Sequence, residues 1–244
     1  MLLFPKRYIG RSFQGYKLEK SLGQGRYGSC FAARSAGGKL VVLKRLHNPM
    51  KKKNTGKNHF EPVILSMLRH PAVPELLGIV NEGRSYFFVL EYMPGISIKQ
   101  LLFSRRHPFT YEEIHQIMVQ LLDLIAYLHH KDIVHRDIRI SNVLWDPDQQ
   151  RLSLVDFGLA RFAHQEHALF QSDFSYLGDF FLYLLYALYP VSKGSGGKQP
   201  WYRQLPLSAG QMEFLKRLLG LSPPYSQICS IRQDFLKSFT PPHR

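Results

Sequence analysis

The chain has 244 residues, 45% hydrophobic and 20% charged, enough for one large domain or two lobes with a common cleft and ordinary for a globular protein. Two cysteines, Cys30 and Cys229, supply neither a disulfide framework nor a metal-thiolate cluster, so a reducing cytoplasmic setting is expected. The net charge of +14 is uneven: residues 1–60 hold 14 Lys/Arg and one acid, Glu19, against 18 Lys/Arg and 17 acids in residues 61–244.

The opening MLLFPKRYIG has too short an apolar run for a secretory signal. From Gly15, GYKLEKSLGQGRYGSCFAARSAGGKLVVLKRL alternates in stretches and breaks at glycines, with a turn at Gly37–Gly38, which predicts antiparallel hairpins. KKKNTGKN reads as a basic loop, FEPVILSMLRHP as a short helix, RSYFFVLEYM as a strand and PGIS as a turn. TYEEIHQIMVQLLDLIAYLHH then opens with a capping box, Thr110 and Glu113, and keeps Ile114, Ile117, Leu121, Leu124, Ile125 and Leu128 at helical spacing. FFLYLLYALY, Phe180 to Tyr189, is ten residues long. A bilayer span needs about 20, so it reads as a buried helix. GSGG (194–197) is a loop, and short proline-broken helices follow. The predicted class is α+β: a small antiparallel β-rich lobe with one helix over residues 1–93, a larger α-helical lobe over 94–244, and a boundary near Met93–Gly95. A cleft between unlike halves is a common place for a ligand.

Five sequence features suggest chemistry. GQGRYG places Gly23, Gly25 and Gly28 between two strand-like runs. A dinucleotide fold wants a helix directly after such glycines; a strand follows here, which suits a flap whose bare backbone approaches phosphates. Lys44 ends the strand-like VVLK, and Glu61 lies on or just before the short helix. Each alone reads as a surface charge, but a Lys buried toward phosphate needs a carboxylate to hold it charged. HRDIRISN puts Asp137 and Asn142 five apart in a loop after the long helix. There an Asp can take or orient a hydroxyl proton and an Asn carbonyl can ligate magnesium. Asp156 ends the strand-like LSLV in VDFG, where a carboxylate can bind a metal that bridges phosphates.

The order and spacing of these five resemble the eukaryotic-type (Hanks-type) protein kinases, most closely their compact bacterial forms, over roughly Tyr16 to Phe235. The resemblance implies a bilobal fold and ATP with Mg2+ as cofactors. Gly23, Gly25 and Gly28 would cover the nucleotide, with Leu22, Cys30, Val42 and Leu144 beside it. Lys44 would hold the α- and β-phosphates, positioned by Glu61. Leu90 would stand beside the adenine, and Glu91 and Met93 would offer it backbone hydrogen bonds. Asp137 would orient the acceptor hydroxyl, and Asn142 and Asp156 would bind magnesium. Arg139 would contact the γ-phosphate or the substrate. His135, Phe157, Leu65 and Leu77 would stack into a structural spine. Asp173, at the head of the apolar helix, would hold the backbone of the His135–Arg136 loop.

Four departures from the family pattern qualify this. Arg139 stands where many serine/threonine members carry Lys, a planar fork in place of a point charge, and some tyrosine kinases share it. Pro62 follows Glu61; proline suits only a first helical turn, so the helix is expected to begin near Glu61 and the Lys44–Glu61 pair to be loose. Cys30 replaces the usual valine over the adenine. Only 14 residues, Leu159 to Ser172, lie between Gly158 and Asp173, without an A-P-E motif. The Arg that normally pairs with the A-P-E Glu is missing too, with Gln227 nearby. Joint loss of both partners points to deletion of a whole subsite, the peptide-docking platform, since one partner left alone would be a costly buried charge.

The resulting expectation is a Mg-ATP-dependent kinase, acting on Ser/Thr of a protein with a reduced docking platform. The alternatives are a nucleotide-binding scaffold and a kinase for a small-molecule or lipid acceptor. Ser172 is the one hydroxyl-bearing residue in Leu159–Ser172, so activation by loop phosphorylation is not expected. The basic residues 1–60 suit non-specific contact with a polyanion, DNA or an anionic membrane, or simply solubilise a small sheet.

Overall fold

Side-chain alternation builds the first sheet and gives its two faces different work. In a computed structural model the described residues are 8–24, 28–46, 60–82, 85–164, 166–189 and 199–240. The chain forms two compact units, Met1–Met93 and Pro94–Arg244. The tip of the glycine stretch with Gly25, the KKKNTGKN loop and GSGG lie outside the described residues.

The first unit is an antiparallel sheet of β1 (Ser12–Phe13), β2 (Tyr16–Gln24), β3 (Gly28–Arg34), β4 (Leu40–Leu46), β5 (Leu76–Glu82) and β6 (Ser85–Glu91), with α1 (Phe60–Met67) between β4 and β5. The strand order is β1-β2-β3-β4-β6-β5. Residues opposite one another share a face, so register decides what each face carries. Phe31, Ala33, Val41, Leu43, Phe87 and Val89 lie on one face and join Tyr8, Phe13, Leu18 and Val80 in a core cluster. The other face is read from the pairs Cys30–Lys44, Ala32–Val42, Lys44–Phe88 and Val42–Leu90. Lys44 therefore lies inside β4, two residues before its end, rather than closing the strand as the VVLK run suggests.

The second unit holds β7 (Ile96–Ser97), α2 (Ile98–Gln100) running into a π-helical turn at Leu101–Arg105, α3 (Tyr111–His130), β8 (Ile133–Val134), β9 (Val143–Asp146), β10 (Arg151–Leu154), a 3-10 turn at Phe157–Leu159 and β11 (Arg161–Phe162). Helices α4 (His167–Leu188), α5 (Trp201–Gln204), α6 (Ala209–Leu218) and α7 (Ile228–Ser238) follow. All six periodic residues read from the α3 sequence are buried. The capping box is half formed: Thr110 Oγ1 accepts from Glu113 N at 3.1 Å. The Glu113 carboxylate instead accepts from the buried Trp145 Nε1 at 2.6 Å and meets His107 Nε2 at 2.8 Å. A tertiary partner out-competes the local cap. FFLYLLYALY is helical within α4 as far as Leu188, but it is buried on one side only, with Tyr183 48% exposed, and no described helix is long and apolar enough to cross a membrane. Phe181, Phe214, Phe235 and Phe239 join α4, α6 and the end of α7, with centroids 4.8 Å apart for Phe181–Phe239 and 5.3 Å for Phe235–Phe239.

Two short ladders position the loops of this unit. β9 and β10 pair antiparallel, ending at Val143–Leu154, and Val155 N donates to Asn142 O at 2.9 Å. Thus Asn142 and the backbone just before Asp156 are joined by register. β8 and β11 pair through Val134–Arg161 and Ile133–Phe162, which closes the other end of the segment. Gly95 supports this arrangement: at φ +103°, a Cβ there would lie 2.9 Å from the Trp145 backbone carbonyl carbon and oxygen. Gly95→Ala combines a left-handed strain with a backbone clash, expected to cost about 2–3 kcal/mol. Thermal unfolding by circular dichroism should show a clear drop in Tm, and an unchanged Tm would contradict this packing.

Candidate active site

Lys44 is held on the sheet by a carboxylate from α1. Pro62 is the third residue of α1, still in the first turn where its missing N–H costs nothing, so the helix starts at Phe60 and contains Glu61. Glu61, Ile64, Leu65 and Leu68 are buried at spacings of three, four and seven, which turns the carboxylate inward with the apolar stripe. Lys44 Nζ donates to Glu61 Oε1 at 2.6 Å and Oε2 at 2.8 Å. The two side chains are 4% and 5% exposed. The loose pair expected from Pro62 is therefore corrected: proline fixes the helix start instead of displacing it.

In the second unit, Asp173 organises the loop from His135 to Asn142. Its carboxylate accepts from His135 N at 2.9 Å and Arg136 N at 2.7 Å, and His129 Nε2 lies 3.0 Å away. Arg136 sits at φ 63°, a left-handed strain that the paired amide bonds hold. Asp173 is seven residues into α4, not at its head, because the helix begins at His167. His129, one residue after the last predicted core position of α3, is a site-supporting residue that periodicity gave no reason to select.

The loop directs three groups onto one carboxylate or its backbone. Asp137 N donates to His135 Nδ1 at 3.3 Å. Asn142 Nδ2 donates to Asp137 Oδ2 at 2.7 Å and to its backbone carbonyl at 2.9 Å. Arg139 Nη2 donates to the same Oδ2 at 2.8 Å while its side chain stays 59% exposed. The His135 ring meets Phe157 edge-on with centroids 4.7 Å apart. Burial pushes the His135 imidazole below its ordinary value, against the pull of Asp173, Asp156 and Asp137, so it stands neutral. Asp156 adopts φ 65°, ψ 72°, and its side chain accepts from Gly158 N at 3.3 Å. Asn142 spends its amide nitrogen on Asp137, which leaves Oδ1, met by Ser141 Oγ at 3.2 Å, as an oxygen donor.

The protein kinase domain model matches residues 16–178. The chain is 36% identical over 228 residues to the probable serine/threonine-protein kinase YbdM of Bacillus subtilis, covering 90% of this chain and 87% of that protein. It is 38% identical over 149 residues to the CTD kinase subunit alpha of Schizosaccharomyces pombe, covering 60% of this chain and 25% of that protein. It is 35% identical over 170 residues to a probable L-type lectin-domain containing receptor kinase of Arabidopsis thaliana, covering 66% of this chain and again 25% of the other. The chain belongs to the protein kinase family. It spans most of the bacterial relative and about a quarter of the two eukaryotic ones.

The other expected kinase residues fall as follows. Cys30 and Val42 are half-buried on the Lys44 face, and Leu90 on that face is buried. Leu22 is 45% exposed, inside the β-bulge between Ser21 and Gly23, while Gly23 pairs with Cys30. Glu91 N donates to Glu75 O at 2.9 Å, so only its carbonyl is left for a ligand; Met93 is buried. Leu144 is half-buried on β9. Leu65 is buried, but Leu77 is 37% exposed in the β-bulge between Leu76 and Gly78 and is no internal stacking residue. The bulge shifts which neighbour turns inward, and Leu76 is the half-buried one. Ser172 Oγ donates to Leu169 O at 2.6 Å within α4, a hydroxyl tied to the helix backbone.

The donor chemistry fits a magnesium nucleotide. Among the described residues no group of three or more His, Cys, Asp or Glu could hold a metal ion. Mg2+ keeps waters and substrate phosphates and needs only one or two protein oxygens, which Asn142 and Asp156 could supply. Removing one partner of the buried ion pair strands the other charge. Glu61→Ala should lose about 3 kcal/mol in urea unfolding, whereas Lys44→Met with Glu61→Leu should lose less. Equal losses in both would show that the charges themselves are not the cost.

Proposed function

We propose that this kinase transfers the γ-phosphoryl group of Mg-ATP to a serine or threonine hydroxyl of a protein. The observation that carries the reading is the buried Lys44–Glu61 pair, closed through both carboxylate oxygens. A loose pair would favour the scaffold alternative, and this pair is tight. When bound, Mg-ATP supplies the phosphoryl group and the metal charge that offsets charge gathering on its oxygens. Lys44 binds phosphate oxygens, and Glu61 keeps it charged and aimed. Asn142 and Asp156 hold the metal through side-chain oxygens. Asp137 accepts the acceptor's hydroxyl hydrogen and orients the oxygen for attack. Asn142 Nδ2 and Arg139 fix the rotamer of Asp137, so the carboxylate meets the hydroxyl without reorganising. The serine/threonine choice rests on the similarity to the bacterial relative.

The same reading includes a cytoplasmic location. Residues 1–60, with 14 Lys/Arg against one acid, support a non-specific polyanion contact. If that contact exists, retardation of duplex DNA in a gel should be strong at low salt and fall steeply as salt rises. No retardation at low salt would remove the nucleic-acid form of this proposal.

Purified chain with radiolabelled ATP and a general protein substrate should transfer label. Asp137→Ala should lower transfer by about 10²–10⁴-fold while leaving magnesium-dependent thermal stabilisation by ATP in place. Stabilisation without transfer in the natural protein would sink the kinase reading and leave a nucleotide-binding scaffold.

A further inference from the structure

Beside the loop that carries Asp137, the second unit opens a pocket of about 310 Å³. Its described lining includes Ile138, Arg139 and Ile140 from the loop and Tyr176, Asp179 and Tyr183 from α4. The three α4 residues stand at spacings of three and seven, so they form one stripe along the helix. Tyr176 is 36% exposed and Tyr183 48%. Two large aromatic faces therefore meet solvent beside an acid.

The charges at the pocket are unequal. The Arg139 guanidinium is bonded to Asp137 Oδ2 at 2.8 Å, so its charge is opposed. Asp179, in contrast, makes no hydrogen bond or ion pair with a described residue. Its side chain is exposed at the pocket edge, and the desolvation it does feel there pushes its carboxyl above the ordinary value, which a cation would relieve. A phosphorylated or acidic side chain would face like charge here, and an apolar one would shield Asp179 further without a partner. A cationic side chain gains both an ion pair and aromatic faces that attract positive charge. Arg139 also belongs to both places at once, wall of the pocket and partner of Asp137, so an occupant lies close to where an acceptor hydroxyl would be presented.

We propose that this pocket binds an arginine or lysine side chain of the acceptor polypeptide, near in sequence to the hydroxyl that is phosphorylated. The assignment rests on the protein kinase reading above and adds a substrate class to it: basic-flanked serine or threonine segments, selected by α4 and the loop.

Fluorescein-labelled serine peptides identical except for Arg, Ala or Glu at the flanking positions test this with the full chain. Binding is read by anisotropy without nucleotide, and phosphate transfer is read separately. The natural protein should bind the Arg peptide about tenfold more tightly than the Ala peptide, with the Glu peptide weakest. Asp179→Asn should abolish that order, and Tyr183→Leu should reduce it. Asp148→Asn, an exposed acid outside the pocket lining, should leave it intact. In transfer assays Asp179→Asn should raise KM for the Arg peptide with kcat retained. Equal binding of the three peptides by the natural protein, or a preference that survives Asp179→Asn, overturns the pocket assignment. Efficient transfer to all three alike would do so while leaving the kinase reading standing. Discriminating binding with no transfer to any would support the pocket and sink the kinase reading.

Discussion

The helical unit depends on one carboxylate that has no contact with water. Asp173 is 0% exposed, and a charge in that position is tolerable only if donors replace its hydration. Two backbone amides and the His129 ring face it, at 2.7 to 3.0 Å. Bonds to a charged acceptor are worth roughly 1.5–3 kcal/mol each, enough to hold Arg136 in a left-handed conformation that would otherwise cost about 1–3 kcal/mol. With His135 and Arg136 fixed, Asp137 follows with no freedom of its own: its amide donates to the His135 ring, and its carboxylate is met by Asn142 and Arg139. The His135 ring in turn meets Phe157, which adjoins Asp156. A single buried anion thus sets a chain of orientations that ends at the candidate metal ligands.

The sheet unit solves a similar problem with the opposite sign. Its buried ion is the Lys44 ammonium, and the Glu61 carboxylate that meets it comes from a helix and not from a loop. A hydrophobic pair in these positions would fold at least as well by the usual balance of desolvation against attraction. Buried ions that folding does not require are where local rules give way to function. Lys44 falls into that class, whereas Asp173 also holds the loop of its own unit.

What was legible in the sequence was whatever depends on local pattern. The α3 periodicity named its buried face, the glycine and proline breaks gave the hairpins and the start of α1, and the motif spacing gave the family. The misreadings arose where a distant partner outweighs a local one. Glu113 looked like half of a capping box, but the indole of Trp145, 32 residues away, takes its carboxylate. Pro62 looked disruptive, yet in a first turn it is harmless, and the Lys44–Glu61 pair is tight. Leu77 and its neighbour Leu76 are indistinguishable by type, and only the bulge in β5 decides which turns inward. His129 offered no signal in α3 because its value comes from a carboxylate 44 residues later. Asp173 bonds the loop amides but does not head its helix, because α4 starts earlier than its apolar run, His167 to Ser172 being helical without being strongly apolar.

The early start takes up the last residues of the short stretch between Asp156 and Asp173. The chain makes one 3-10 turn, one strand pair with β8, and a tight return before α4 begins. The return is sewn to Asp132: its backbone carbonyl accepts from Ala163 N at 2.8 Å and its carboxylate from His164 N at 2.9 Å. Asp132 and His164 both take left-handed φ values to make this fit, 59° and 49°. Since Ser172 lies within the helix with its hydroxyl bonded to Leu169 O, the stretch has little left with which to signal or to dock a substrate. The surfaces that the stretch leaves open include the exposed Arg139 side chain and the Tyr176–Tyr183 stripe of α4. In the substrate pocket proposed above, recognition would rest on a helix surface and not on this segment.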